Sequence, residues 1–200
     1  GILAMLLLTI IRVDLLDAWQ QTIPKDAPNQ FLINIQPHDV APMEQFFKQQ
    51  QIDARGIYPM LRARLTHINE HLVVEDDYTS ERAKHLSHRE FNLSRAAQMQ
   101  SGNALVSGQW WSEEQLKAPL FSVEVGLAQT LGIQLHDELT FNLAGSPVKG
   151  RVSNLRSVRW DSFQPNFFII GTPGLLDNYP TNFITSFHLP TGEEKLLVKL

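Results

Sequence analysis

The sequence of 200 residues contains no cysteine. This absence excludes disulfide bonds, thiolate catalysis and zinc sites built on cysteine, and it is compatible with an oxidising compartment, where a free thiol is a liability. The chain also lacks any block of charge, since 21 acidic and 17 basic residues give a formal net charge of −4. Proteins that bind polyanions usually carry a basic stretch or a high isoelectric point, so we expect no nucleic acid among the partners.

Motifs of the common catalytic sites are missing as well. The nearest glycine-rich run, Gly145 to Gly150, lacks the G-K-[ST] ending of a phosphate-binding loop. Ser122 and Glu124 could act as nucleophile and base, but no G-x-S-x-G sequence surrounds the serine, and a helix N-cap explains Ser122 better. We therefore expect a chain that does not hydrolyse ATP, is not an enzyme and needs no cofactor.

The chain has no hydrophobic run of membrane-spanning length. Residues 1 to 11 are uncharged and mostly aliphatic, but Arg12 and Asp14 interrupt the run, and a membrane helix needs about 20 apolar residues. Length alone therefore favours a packed amphipathic helix over the outer end of a spanning helix. The segment also lacks the cationic flank and the cleavage site of a signal peptide.

An apolar content of 43% is enough to bury a core, in one domain or two small ones. Alternating apolar residues predict strands at Phe31 to Ile35 and Leu61 to Leu65, and Asp39 predicts the N-cap of a helix between them. A linker at Thr22 to Asn29, with its prolines, precedes this unit. The sequence therefore predicts a β-α-β opening.

The second half of the chain is predicted to be rich in strands. A helix that begins at Ser122 and ends at Gly132 precedes a hairpin formed by Leu139 to Leu143 and Val148 to Val152. Three further elements follow: strands at Phe167 to Ile170 and at Asn182 to Leu189, and a C-terminal helix after Pro190. The polar stretch Asp76 to Lys84 marks the passage into this half. The order of elements suggests one layered α/β unit interrupted by an inserted β-rich unit.

Two histidine pairs have the spacing of metal ligands. His67 and His71 enclose an H-x-x-E-H pattern, which binds zinc only when it lies on a helix. Here it continues a strand, where residues four apart are separated by about 13 Å and cannot share one ion. His85 and His88 have no identifiable third ligand and predict an exposed turn or short helix. We expect no metal site.

Aromatic residues are the remaining candidates for a binding surface. Burial in a core is the default for such large side chains, and the alternative is a groove for an acyl chain or a partner protein. If a groove exists, its candidate residues are Trp110, Trp111 and Phe163. The sequence leaves the choice between core and groove open.

Five blocks of sequence occur in an order that is specific to one protein family. They are HREFNLS at 88–94, SGQWW at 107–111, SVEVGLAQTLG at 122–132, ELTFNLAG at 138–145 and RSVRWDSFQPNFFIIGTPGLL at 156–176. The chain resembles the extracytoplasmic region of FtsX-like ABC transporter permeases, in particular the YbbP-type predicted permeases linked to lysophospholipase biosynthesis. One difference lies at His136, where the resemblance leads us to expect a Gly-Asp turn.

The resemblance implies an α+β fold like that of the MacB periplasmic core. In that fold a porter-like, ferredoxin-type β-α-β unit, here residues 30–75 and 160–200, is interrupted by an inserted, smaller β-rich subdomain, here residues 76–159. Residues 1–22 would form an N-terminal stalk helix that continues from a membrane span. This expectation reverses the preference drawn from the length of the apolar run.

The resemblance also implies a function. The chain would be the non-catalytic periplasmic domain of an inner-membrane ABC permease, with membrane spans on both sides. Such permeases are thought to couple ATP hydrolysis by a separate cytoplasmic ATPase subunit to movement, export or partner control outside the membrane. A lipid, a lipoprotein or a periplasmic protein would be the further partner. The alternatives left open are a periplasmic lipid- or lipoprotein-binding module and a lipid-directed hydrolase.

Overall fold

A computed structural model describes residues 24–199, and the stalk helix expected at residues 1–22 lies outside the described residues. Strands predominate, and the few α-helices are short, so the fold is of the mixed α and β kind that the sequence predicted. The strands are β1 (Gln30–Ile35), β2 (Ala54–Ile68), β3 (His71–Leu72), β4 (Glu90–Arg95), β5 (Asn103–Gly108), β6 (Leu120–Glu124), β7 (Glu138–Leu143), β8 (Ser146–Val158), β9 (Ile169–Gly171) and β10 (Asn182–Phe187). The α-helices are α1 (Val40–Gln49), α2 (Glu81–His88), α3 (Val125–Leu131) and α4 (Pro173–Leu176).

The long strand β2 belongs to two groups of strands. The strand order along the sheet is β1-β10-β2-β4-β9-β6-β8-β5, and β7 pairs with both β2 and β8. Residues 54–60 of β2 pair with β10, whereas residues 61–68 pair with β4 and β7. The same 15-residue strand therefore connects the sheet formed by the two ends of the chain to the larger β-rich part.

The β-α-β opening is confirmed, with β1, α1 and β2 in the predicted order. Helix α1 packs on the sheet through Phe47, which is buried against Phe187 of β10 with ring centroids 5.0 Å apart. Asp39 occupies the N-cap position, although its side chain makes no capping hydrogen bond. The packing of the apolar face of α1, rather than the cap at Asp39, therefore fixes the position of this helix on the sheet.

Strand β1 does not bury every residue of its predicted alternation. Phe31 and Ile33 are 52% and 60% exposed, whereas Ile35 is buried. Asn34 has a φ of 58°, and the pairing with β10 shifts register between Leu32 and Ile35. This β-bulge inserts one additional residue into the strand, so the side chains that follow it point to the opposite face of the sheet.

The predicted hairpin is confirmed as β7 and β8, with Leu139, Phe141 and Leu143 all buried in the main core. Helix α3 ends at Gly132, whose φ of 75° is typical of a C-terminal glycine. His136 has a φ of 72°, a conformation that favours the glycine expected there from the resemblance. Residues other than glycine adopt this conformation only at an energetic cost. We infer that the turn before β7 imposes it on His136.

The predicted N-cap at Ser122 is wrong. Ser122 lies inside strand β6, and Glu124 caps α3 by accepting a hydrogen bond from the Leu127 N–H at 2.7 Å. A carboxylate at this position also interacts favourably with the positive end of the helix dipole. Strand β6 therefore extends to Glu124, two residues beyond the predicted N-cap at Ser122.

Two other segments form short helices. The stretch Asp76 to Lys84 contains the start of α2, which Ser80 caps by accepting a hydrogen bond from the Ala83 N–H. The C-terminal segment, where the sequence predicted a helix, forms a 3₁₀ helix at Glu194–Lys199. Leu196 and Leu197 contact the cluster around Phe47. The division into residues 30–75 with 160–200 and an insert of 76–159, like the porter-like arrangement, stays a prediction.

Gly108, at the end of β5, offers a test of this packing. Its φ is 77°, and a Cβ atom would meet the Ser153 carbonyl oxygen and lie 2.9 Å from the Asn154 Cα. We expect Gly108→Ala to lower the free energy of unfolding by about 3 kcal/mol, since backbone strain and steric overlap add. Gly145→Ala is the matched control, because Gly145 has a φ of 85° but open space around it. Urea unfolding of both variants isolates the steric part, and equal losses would contradict the predicted overlap.

Candidate functional site

The described residues form a cleft of about 590 Å³. It lies between the segment that precedes β1 and the loop that follows β8. Its lining includes Pro28 and Arg55 on one side and Gly102, Arg159 and Phe163 on the other. The cleft is therefore formed where the sheet of the chain ends meets the β-rich part.

The first wall is fixed to the end of β10. The Asn29 side chain donates to the Leu189 carbonyl at 2.8 Å and accepts from the Leu189 N–H at 2.9 Å. The His188 Nδ1 lies 2.8 Å from the Ala27 carbonyl oxygen. Although its proline content predicts a linker, this segment is held in place from Ala27 onward.

The second wall is a loop at residues 159–166 that is hydrogen-bonded to the loop between β4 and β5. The Arg159 N–H donates to the Gly102 carbonyl at 2.9 Å, and the Gln164 side chain bonds both the carbonyl and the hydroxyl of Ser101. Asn166 closes the loop by donating to the Arg159 carbonyl at 3.1 Å. The two loops therefore form one connected wall.

Charged side chains of both signs line or flank the cleft. Arg55 lies 3.5 Å from Asp26 and 3.9 Å from Asp53, and Arg159 lies 3.8 Å from Asp161. These pairs are solvent-exposed and long, so each contributes little to stability and can be rearranged at low cost. The cleft thus combines long, solvent-accessible ion pairs with hydrogen-bonded walls.

The sequence-predicted aromatic residues lie in two different environments. Trp111 is 4% exposed and belongs to a cluster with Met60, Phe167 and Ile170, against which Trp110 packs. The indole N–H groups of Trp110 and Trp111 donate to the Ala97 and Ala96 carbonyls at 2.9 and 3.0 Å. These contacts are those of core residues.

Phe163 lies apart from the two tryptophans, in the wall of the cleft. It is 39% exposed and has a φ of 56°, and its neighbour Trp160 is 49% exposed. Trp160 packs on Phe168 with ring centroids 4.7 Å apart. Phe163 is therefore the candidate binding residue that reaches a cavity, and its role in binding stays a prediction.

A buried polar network joins β6, β8 and the loop of the cleft, and the sequence analysis missed it. Arg156 is fully buried, and its guanidinium donates to the main-chain carbonyls of Phe168, at 3.1 Å, and Phe167. Burial lowers the pKa of Arg156 to about 10, and Glu124, its neighbour in the parallel register, opposes this effect. The side chain is therefore still charged at neutral pH.

Ser122 is held in the same region without a catalytic arrangement. Its hydroxyl donates to the Asn154 side-chain carbonyl, and the Asn154 amide donates to the Gln109 carbonyl at 3.2 Å. An amide oxygen is not a general base, and the Glu124 carboxylate is occupied by the N-terminus of α3. The geometry gives Ser122 a structural contact between neighbouring strands.

The histidines lie on the surface of the β-rich part. His67, the second-last residue of β2, lies opposite Leu72, and His71 pairs with Ile68, so the H-x-x-E-H residues form a tight β2–β3 turn. His88 of α2 lies 2.7 Å from the Lys84 carbonyl oxygen and 3.7 Å from Glu75. Within residues 24–199, no group of three or more potential ligand side chains is placed to bind a metal ion.

None of the helices within residues 24–199 is long and apolar enough to cross a bilayer.

Comparison with known proteins gives one close sequence match. The chain is 39% identical over 190 residues to the protein described as "Uncharacterized ABC transporter permease YbbP" of Escherichia coli (strain K12). The match covers 95% of this chain but only 22% of that protein. The resemblance to YbbP-type ABC transporter permeases, predicted from the five sequence blocks, is confirmed, and the chain corresponds to about a fifth of the relative.

Family models and solved structures were the other two bases of comparison. No protein-family model matches the chain. A solved structure, "a domain of a putative Permease protein from Porphyromonas gingivalis", aligns with 78% of this chain and 65% of its own, with a TM-score of 0.39 and 10% identity.

Proposed function

We propose that this chain, which is similar over most of its length to one part of an ABC transporter permease, is the non-catalytic periplasmic domain of such a permease. In this role it couples ATP hydrolysis by a separate cytoplasmic ATPase subunit to movement outside the inner membrane. The sequence identity to the permease carries the proposal. The match covers 22% of the relative, and the proposal places membrane spans in the part of that protein that the match does not cover.

The position of the chain ends supports a domain inserted between two spans. β1 and β10 pair antiparallel with Gln30 opposite Phe187, and Asn29 is bonded to Leu189. The chain therefore enters and leaves the domain at the same end of one sheet. Two membrane helices that follow from these ends would lie side by side, so that a displacement between them reaches both strands directly.

Strand β2 supports a route for the movement. It spans about 45 Å, since a strand rises by about 3.3 Å per residue over Ala54–Ile68. One half pairs with β10 and the other half with β4 and β7. A shift of the chain ends is thereby transmitted to the β-rich part, with the cleft at the junction able to open or close.

Cysteine labelling of the complete permease tests the proposed location. The chain has no cysteine of its own, so Lys48→Cys and Glu113→Cys, both exposed, supply unique thiols within it. We expect a membrane-impermeant maleimide to label both in intact cells. Leu93→Cys, at a buried position, is the control that reacts only after denaturation. Labelling of the exposed positions only after cell lysis would contradict a periplasmic domain.

A further inference from the structure

One face of the sheet carries an uncovered group of basic side chains, which we name the basic face: Arg62 and Arg64 of β2 with Lys149 and Arg151 of β8. All four are exposed. The residues that alternate with them, such as Ala63 and Val148, are buried in the main core. The basic face is therefore the solvent side of a sheet whose other side is packed.

The strand register brings these side chains together. β7 lies between β2 and β8, with Asn142 opposite Arg64 on one side and Glu138 opposite Arg151 on the other. Adjacent strands are about 4.8 Å apart and each residue advances a strand by about 3.3 Å, so Arg64 and Arg151, whose partners Asn142 and Glu138 are separated along β7, lie roughly 16 Å apart. The basic face therefore extends over roughly 20 Å, which is within the width of an ordinary protein interface.

Most of this charge has no partner among the described residues. Lys149 forms an ion pair with Glu138 at 3.6 Å. Glu90 lies opposite Arg64 in β4, yet within residues 24–199 none of Arg62, Arg64 and Arg151 has a carboxylate oxygen within 4.0 Å. This concentration of unpaired guanidinium groups occurs in a chain of net charge −4.

The surroundings of the basic face are polar and open. On the same strand, Met60 is covered by the cluster around Trp111, but this cover ends before Arg62, two residues further on. Asn92 and Asn142 stand opposite the arginines on the neighbouring strands and are also exposed. The face offers hydrogen-bond donors and positive charge in a flat array.

We propose that the basic face is a docking surface for an acidic surface of a partner protein. Arginine is enriched in protein interfaces, and its planar guanidinium bonds carboxylates in two places at once. The asparagines between the arginines favour hydrogen bonding over the insertion into lipid that a membrane surface would need. The inference goes beyond the coupling function proposed above and does not depend on it, because the cleft shares none of these residues.

A titration with short poly-L-glutamate as the probe tests the proposal on the intact chain. We expect amide shifts in nuclear magnetic resonance spectra to concentrate on β2, β4, β7 and β8, and to weaken as salt is added. Vesicles of phosphatidylglycerol and phosphatidylcholine form the second arm. Tighter binding to these vesicles through the same residues would overturn the proposal in favour of a membrane surface.

Charge-neutral variants locate the effect. We expect the combined substitutions R62Q, R64Q and R151Q to weaken poly-L-glutamate binding about tenfold. The matched control K48Q, R82Q and K117Q removes the same charge at exposed positions elsewhere, and it should change binding less than about twofold. Equal weakening in the two triple variants would overturn the proposal. If the first triple variant is too unstable to be measured, poly-L-glutamate binding of the single variants R62Q and R151Q tests the proposal instead. Each should bind more weakly than the single variant K48Q.

Discussion

Replacing Arg156 by alanine should lower the free energy of unfolding by about 3–5 kcal/mol, because the substitution removes one partner from a buried charged network. The Phe167 and Phe168 carbonyls would lose their hydrogen bonds, and Glu124 would lose the opposite charge beside it. Since these carbonyls precede β9, the loss should also loosen the wall of the cleft that ends at Asn166. Urea unfolding measures the first effect and hydrogen exchange of residues 159–168 the second.

The pH dependence of this loss follows from the pKa of Arg156. Burial lowers that pKa to about 10, well below the ordinary value of an arginine side chain. Below about pH 9 the guanidinium is protonated in both the folded and the unfolded state, so its titration does not change stability there. Above about pH 10 the folded state releases the proton first, and stability rises with pH until the unfolded state releases it as well.

Arg151→Ala is the control for Arg156→Ala. Arg151 lies on the same strand but is exposed and has no ion pair within the described part of the chain. Its loss should change stability by less than about 0.5 kcal/mol. A cost below about 1 kcal/mol for Arg156→Ala would mean that the buried guanidinium does not hold the loop.

Replacing Trp111 by alanine should cost about 3–5 kcal/mol, as expected for a large side chain removed from a packed core. Trp111 fills the cluster with Met60, Phe167 and Ile170, and its indole N–H bonds the Ala96 carbonyl. The substitution leaves a cavity between the two groups of strands that β2 connects. Thermal and urea unfolding give the loss.

Trp160→Ala is the matched substitution at an exposed tryptophan. It removes the contact with Phe168 and should cost about 1 kcal/mol. If Trp111→Ala were as mild as Trp160→Ala, Trp111 would line an adaptable groove, the alternative that the sequence left open. The contrast between the two variants therefore separates core from binding surface.

Periodicity predicted the elements whose two faces differ clearly. Leu139, Phe141 and Leu143 alternate without interruption, and the hairpin forms at that position. β1 shows the limit of this reasoning, because the bulge at Asn34 depends on pairing with β10, which is distant in sequence. Because of the bulge at Asn34, Ile35 is buried whereas Phe31 and Ile33 are exposed. The alternation of apolar residues could not predict this change of side.

The N-terminus of α3 could not be located from local patterns alone. Serine and glutamate side chains can both accept hydrogen bonds from helix N–H groups, and Ser122 and Glu124 both precede the same apolar positions. The pairing of β6 with β8 and β9 decides between them, since it keeps residues up to Glu124 extended. Strand pairing over about 30 residues or more of sequence therefore overrides the capping preference.

The candidate site was harder to predict than the fold. Its walls come from four separate parts of the chain, including Pro28, Arg55 and Gly102, and no short motif links them. The burial of Arg156 was also hidden, because arginine on a strand is ordinarily exposed. Asn154 and Arg156 lie two residues apart and therefore on the same side of β8, and both are buried. This spacing indicates burial only when the strand order of the sheet is already known.

Distance measurements across the cleft in the complete permease, purified with its ATPase in a lipid bilayer, test the coupling function most directly. Spin labels at Lys25→Cys and Asp161→Cys lie on or beside the two walls, and the chain contributes no other thiol. A control pair at Asn92→Cys and Lys149→Cys lies within the β-rich part. Our account predicts a different distance distribution for the cleft pair, but not for the control pair, between the nucleotide-free and the vanadate-trapped ATP states. Identical cleft distances in the two states would contradict it.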